Sequence, residues 1–393
     1  MTHSRLYLDY NATSPLSPSV KNWLKSGDFN FANPSSQHSS GKAARKVVNQ
    51  TRASIFSLFK KNENGHKLFF HSGATEAFAS FLYSFSEWAR LEGRKLLFCF
   101  SKLDHPCVTA LDHKFFGDHV SSYQLKVDTD LGYAHQENYR FISDKKADDP
   151  ELLILYHHLW VHNETGFVYP LEELELFKSI PDLYLHVDAV QAPGKIADWR
   201  ELTTGDIFSF SAHKFGAIKG IGFSLVANSI RFFPLLTGGG QQSGFRSGTE
   251  NAMACKSIQL ALDDLSTVDV TATGVFRAEL ENFLGLELQG MGEVVTHASL
   301  KRNSNTIYFF LNELPSDVAL ALFDLHGLEI SAGSACSSGT AKDSVLLLQK
   351  GLKHVAKNGL RLSLGFQVSP SDKALLYQQL GLILGKLKPL HKA

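Results

Sequence analysis

The chain is poor in sulfur. It has four cysteines in 393 residues, Cys99, Cys107, Cys255 and Cys336. None is paired as C-x-x-C, which argues against a zinc ribbon and a disulfide framework. Neither charge is in excess: 39 Lys and Arg stand against 39 Asp and Glu. Global charge therefore gives no argument for a nucleic-acid partner or for acidic disorder. No apolar run approaches the ~20 residues that span a bilayer. The opening Met1-Thr2-His3-Ser4-Arg5 runs straight into the strand-like Leu6-Tyr7-Leu8-Asp9, with no apolar signal-peptide core. Internal repeats and low-complexity tracts are absent. The expectation is a soluble cytoplasmic protein without a membrane or direct nucleic-acid partner.

What is present is an alternation of short apolar runs and helix-like stretches. Strands are expected at Lys67–His71, Lys95–Phe100, Leu152–His157, Leu183–Asp188, Asp206–Phe210 and Gly222–Val226, short and apolar as in a sheet covered on both faces. Helices are expected at Thr75–Leu91, Pro106–Phe116 and Pro170–Lys178. This order predicts an α/β fold with a mostly parallel sheet, ligands binding beyond the carboxyl ends of its strands. From about Cys255 the texture changes. Helices at Val275–Leu286, Ser316–His326, Ser344–Val355 and Ser371–Leu387 alternate with strands at Asn305–Leu311, Leu328–Ser331 and Leu360–Leu364. That reads as a smaller α+β domain. The division expected is residues 1–255 and 256–393, with the extreme N-terminus free to pack on either unit.

Two motifs carry the chemistry. Lys214 lies in Ser211-Ala212-His213-Lys214-Phe215-Gly216, after a predicted strand. Asp188 ends another, in His186-Val187-Asp188-Ala189-Val190-Gln191-Ala192. An amine able to form a Schiff base and a carboxylate able to keep a heteroaromatic nitrogen protonated are the protein's half of pyridoxal-phosphate chemistry. Gln191 could donate to the cofactor's phenolic oxygen. Ser72-Gly73-Ala74-Thr75-Glu76, between a strand and a helix, offers N–H groups and a hydroxyl to a phosphate, and Ser211 and His213 could add donors. His105 could stack on a flat ring and exchange protons near neutral pH. Arg361, inside an apolar strand, has a fork that fits a carboxylate, and Asn163 sits in a polar turn. The glycine-rich Gly238–Gly248 stretch is either a close-approach backbone or a mobile loop. Each feature alone has an ordinary reading: a surface lysine, a capping aspartate, a structural histidine, an ion-paired arginine. Cys99, Cys107 and Cys255 read as small buried apolar residues. Cys336 lies in the small, glycine-punctuated Ser331–Thr340 stretch, a poor place to bury a thiol and a good one for a thiol that moves between a site and a partner.

The set resembles the cysteine desulfurases, pyridoxal-phosphate enzymes of the class V aminotransferase group. The resemblance runs from Tyr7–Thr13 and Asn33–Ser36 through Ser72–Glu76, Asn163-Glu164, His186–Gln191, Ser211–Lys214 and Arg246–Thr249 to Arg361–Gly365. It implies a type I pyridoxal-phosphate transferase fold in the large domain. It also implies removal of sulfur from L-cysteine, giving L-alanine and a persulfide on Cys336 for a protein acceptor in iron–sulfur assembly or thiolation. On this resemblance Lys214 forms the Schiff base and acts as the base, His105 stacks on the ring, Asp188 pairs with its nitrogen and Gln191 with its phenolic oxygen. Ala74, Thr75, Ser211 and His213 bind the phosphate, and Thr249 reaches the neighbouring subunit's phosphate in a homodimer. Asn163 and Arg361 hold the substrate carboxylate. No resident metal is implied, although Cys336 could ligate a metal or cluster transiently. Ala212 replaces a usual glycine, and His162 a frequent second asparagine. The alternatives are a selenocysteine lyase or another class V enzyme, a catalytically silent paralogue, and a redox or metal module built on Cys336.

Overall fold

Runs such as Leu153–Leu159, buried at every position, are stable only where both sheet faces are covered. A computed structural model describes residues 5–111, 116–333 and 343–388 and places these runs in one seven-stranded sheet. The strand order is His66–His71, Gly222–Ala227, Ile207–Ser211, Leu183–Asp188, Leu153–Leu159, Leu96–Ser101, Val120–Leu125. Gly222–Ala227 runs antiparallel to both neighbours, and every other adjacent pair is parallel. The mostly parallel α/β sheet expected from the sequence is therefore present.

One face is covered by the helix Ala74–Leu91. Its Phe78, Phe81, Phe85 and Trp88 repeat at helical spacing and are buried with Phe69, Phe98 and Leu155 of the sheet. Each such aromatic contributes roughly 1.5–3 kcal/mol by leaving water. The other face packs against the helices Ser39–Leu58 and Ala252–Leu265. The latter runs through position 255, and its buried residues join the large-sheet core.

A second core lies around a four-stranded antiparallel sheet ordered Gly292–Val294, Thr306–Leu311, Gly359–Ser363, Ser331–Ala332. The helices Val270–Glu287, Ser316–Leu325 and Pro370–Leu387 bury their apolar faces there. The N-terminal chain touches both cores in turn. Leu6–Tyr7 pairs in parallel with Leu328–Glu329, and Asp9 bridges to Ser363. A few residues on, the Ser14 and Ser17 amides donate to the His213 and Gly216 carbonyls at 2.9 Å each. Gly216 has a φ of 96°, and a Cβ there would sit 3.0 Å from Ser17 Cβ, so the crossing needs a glycine.

Several boundaries differ from expectation. The helix expected over Pro106–Phe116 is α-helical only at Pro106–Thr109 among the described residues. The one expected over Ser344–Val355 divides into Val345–Gln349 and a 3-10 turn, Lys353–Val355, around Gly351 at φ 76°. The strand expected at Leu328–Ser331 is two short pieces, each pairing a different neighbour. Ser39–Leu58 gave little sequence signal because its buried stripe begins Gly41, Ala44, Val48, Thr51, small or polar residues that hardly register as amphipathic. No helix among the described residues is long and apolar enough to cross a membrane.

Candidate active site

Lys214 closes a single 3-10 turn, Ala212–Lys214, directly after the strand Ile207–Ser211. Its Nζ donates to the carbonyl oxygens of Asn11 at 2.7 Å and Ala12 at 2.9 Å. Asp188 is the last residue of the neighbouring parallel strand and is buried. Its Oδ1 accepts the Val190 N–H at 2.9 Å. Gln191 follows on the same turn and donates Nε2 to the Asn11 carbonyl at 2.9 Å. The carboxyl ends of adjacent strands thus bring amine, carboxylate and amide to one place, as expected for this sheet type.

A cavity of about 600 Å³ is walled by Lys214, Asp188, Gln191 and His105, and also by Ala74, Thr75, Ser211 and His213. Ala74 and Thr75 open the 18-residue helix Ala74–Leu91, whose N-cap Gly73 supplies no side-chain cap. The first-turn N–H groups therefore remain available to an anion. Glu76 in that turn is neutralised by Arg246, Nε to Oε1 at 2.9 Å, and its Oε2 accepts the Ser72 N–H at 2.8 Å. His213 Nδ1 lies 3.1 Å from Thr13 Oγ1.

A second cavity, about 380 Å³, shares Lys214, His105 and Asn163 with the first and extends to Arg361. Arg361 is buried in the strand Gly359–Ser363. Its Nη2 meets Asp9 Oδ1 at 2.7 Å and its Nη1 donates to the Asn163 carbonyl at 3.1 Å. Among the described residues Arg361 Nε has no hydrogen-bond partner, an unmet donor suited to a small carboxylate. Asn163 contributes its backbone oxygen to this frame; the same oxygen accepts Asn11 Nδ2 at 3.0 Å. Gly333 and Asp343 line this cavity too. They flank the stretch holding Cys336, which lies outside the described residues. Thr249 is exposed and lines neither cavity.

Burial sets the electrostatics. It lowers the Lys214 amine to about 8, helped by the charge of Arg361 and opposed by Asp188 and Asp9. It raises the Asp188 carboxyl to about 6 against the pull of the Val190 N–H and of Lys214. His105 presents its surface to both cavities. Burial, then Lys214 and Arg361, hold its imidazole down at about 4, so it is neutral near pH 7. His105 Nδ1 accepts the Cys107 N–H at 3.1 Å.

Sequence reasoning missed several participants. Cys107, read as a buried apolar residue, is half-buried and lines the first cavity. Burial, with Asp188 and Asp104 nearby, pushes its thiol up to about 12, which leaves it without nucleophilic character at neutral pH. Asn11 meets Lys214 and Gln191 through its backbone oxygen, which has no residue signature. Only its place in the Tyr7–Thr13 motif drew attention to it. His162, which stands in place of a frequent second asparagine, lines the second cavity and accepts the Glu164 and Thr165 N–H groups on Nδ1 at 3.2 Å each. It therefore also pins the turn that carries Asn163.

A free Asp188 oxygen facing a cavity, an amine of lowered basicity, an imidazole wall and an open helix N-terminus fit the pyridine nitrogen, aldehyde, ring and phosphate of pyridoxal phosphate. Fold and site together define a type I pyridoxal-phosphate-dependent enzyme. Residues 6–374 match the family described as Aminotransferase class-V, and the chain belongs to that family. A cysteine desulfurase of Cereibacter sphaeroides is 31% identical, covering 98% of this chain and 97% of its own. Cysteine desulfurase IscS of Clostridium botulinum (strain Hall) is 28% identical, covering 94% of this chain and 92% of its own. Among solved structures, a NifS-like protein superposes with a TM-score of 0.81 at 23% identity, over 98% of this chain and 99% of that one. SspA in complex with cysteine gives 0.70 at 25% identity, over 91% and 98%.

Proposed function

We propose that this protein is a cysteine desulfurase that moves sulfur from L-cysteine to Cys336 and on to a protein acceptor. The observation that carries the reading is the joined pair of cavities. Lys214 and His105 stand where they meet, with Asp188 in the first and Arg361 in the second. The desulfurase relatives support the choice of substrate. Bound pyridoxal phosphate supplies an electron sink for negative charge developing at the substrate's α-carbon. Lys214 would hold it covalently, Asp188 would meet its pyridine nitrogen, Gln191 its phenolic oxygen and His105 its ring face. Ala74, Thr75, Ser211 and His213 would bind its phosphate.

Arg361 and Asn163 hold the substrate carboxylate and so aim the α-carbon at Lys214. An amine with pKa about 8 takes and returns a proton near neutral pH more readily than an ordinary lysine. The Cys336 thiolate attacks the substrate sulfur. The carbon–sulfur bond breaks with its electron pair left on carbon, and the sulfur remains as a persulfide on Cys336. A protonated carbon leaves as L-alanine. In this reading the larger unit holds the cofactor and the smaller one, beginning after the helix Ala252–Leu265, presents Cys336. Thr249, exposed in the single chain, serves the neighbouring site of a homodimer.

The test is incubation of the purified protein with L-cysteine, measuring alanine, sulfide and persulfide mass on the Cys336 peptide together. Cys336→Ser is expected to keep the visible colour of the bound cofactor and to lose sulfide release and the persulfide. Normal turnover by that variant removes Cys336 from the scheme, and a colourless wild-type protein removes the scheme itself.

A further inference from the structure

Lys195 has no part in the scheme above and lines neither of the two joined cavities. Yet none of its surface is exposed. Buried lysines ordinarily need a charged partner. Here Nζ is met by two amide oxygens instead, Asn11 Oδ1 at 3.1 Å and Gln191 Oε1. Burial above all, then the charges of Lys214 and Arg361, disfavour its ammonium, and Asp9 favours it. The backbone is anchored as well: the Lys195 carbonyl accepts the Ser304 N–H at 2.7 Å.

Protonated or neutral, the Lys195 nitrogen carries at least two hydrogens, and both are directed at amide oxygens. That fixes the orientation of both amides. Asn11 Nδ2 is left to donate to Thr306 Oγ1 at 2.8 Å and the Asn163 carbonyl at 3.0 Å. Gln191 Nε2 is left to donate to the Asn11 carbonyl at 2.9 Å, the same oxygen that receives Lys214 Nζ at 2.7 Å. The second hydrogen on Gln191 Nε2 is free for an acceptor in the cavity.

We propose that Lys195 is a positioning residue that pins the Gln191 amide, so that Gln191 meets the cofactor's phenolic oxygen only as a donor. This rests on the Gln191 assignment made above. Without the amine, Gln191 Oε1 loses its donor in a dry setting and the amide loses its fixed orientation. A donor on the phenolic oxygen draws electron density from the conjugated nitrogen joined to Lys214. Losing the donor makes that nitrogen more basic.

The experiment is a pH titration of the visible absorbance of the cofactor-loaded protein for wild type, Gln191→Leu, Lys195→Met and the double variant. Gln191→Leu is expected to move the transition upward by about one pH unit, the worth of one hydrogen bond. Lys195→Met moves it the same way by at least half as much, and the double variant goes no further than Gln191→Leu. A shift in Gln191→Leu with none in Lys195→Met overturns the role of Lys195, as do shifts that add in the double variant. An unmoved Gln191→Leu removes the Gln191 assignment beneath it. If the methionine variant does not fold or load, Lys195→Gln takes its place. Its amide presents an acceptor as well as donors, so Gln191 is no longer held one way round and the titration should fall between wild type and Gln191→Leu; a wild-type titration overturns the proposal.

Discussion

Asp188 is a carboxylate buried where its charge is costly until a positive group meets it. Burial raises it to about 6. Between the usual carboxylate value and about 6, the folded protein keeps a proton that the unfolded chain releases. Stability therefore falls as pH rises through that window and stays lower above it. In the cofactor-free protein, Asp188→Asn lifts this penalty. By urea denaturation the variant should be more stable than its parent at about pH 8, with the difference closing by about pH 4. A parent equally stable at both would show no stored electrostatic cost. Lys214 carries the complementary sign: lowered to about 8, it holds more free base near neutral pH than an ordinary lysine. Amine labelling of the cofactor-free protein at about pH 7.5, mapped by peptide mass, should mark Lys214 ahead of the lysines on the surface. Both identities were legible in the sequence because Asp188 ends a recognisable strand and Lys214 closely follows one. Their altered basicity was not, because burial is set by residues distant in the chain.

At the scale of elements, the turn Asn163–Gly166 shows how backbone geometry serves the site. Gly166 has φ 72°, and a Cβ there would run into the Asn303 side-chain amide. The turn presents the Asn163 carbonyl to Arg361 and Asn11. Gly166→Ala should cost at least ~1–2 kcal/mol from the left-handed backbone alone, read as a lowered urea midpoint with weakened substrate binding. Gly285→Ala is the control, in the helix Val270–Glu287 with nothing within 4 Å of a new Cβ. It should raise stability by ~0.4–1 kcal/mol. Strand runs such as Leu183–Asp188 were readable end to end because every residue but His186 is apolar or marks the terminus. Val120–Leu125, an edge strand with the burial pattern buried, exposed, half, half, exposed, buried, gave no such run and was not anticipated.

At the scale of the whole molecule, the N-terminal segment ties the two cores to the site. Asp9 holds Arg361, and the Asn11 and Ala12 carbonyls hold Lys214. A protein lacking residues 1–13 should therefore lose cofactor colour and turnover together. Thermal unfolding followed by circular dichroism would show whether the sheet survives. Retention of full colour would mean that the carbonyls are dispensable.

The sequence by itself determined the alternation that makes an α/β sheet, the strand-end places of Lys214 and Asp188, and the motif set from Tyr7 to Gly365. These depend on local pattern, since a strand's burial and a turn's chemistry are written in neighbouring residues. Only the tertiary structure decided that the N-terminus spans both cores, that Cys107 faces the cavity, and that Lys195 stands behind Gln191. Such facts depend on backbone carbonyls and on packing between residues far apart in the chain, and neither leaves a mark on the local order of side chains.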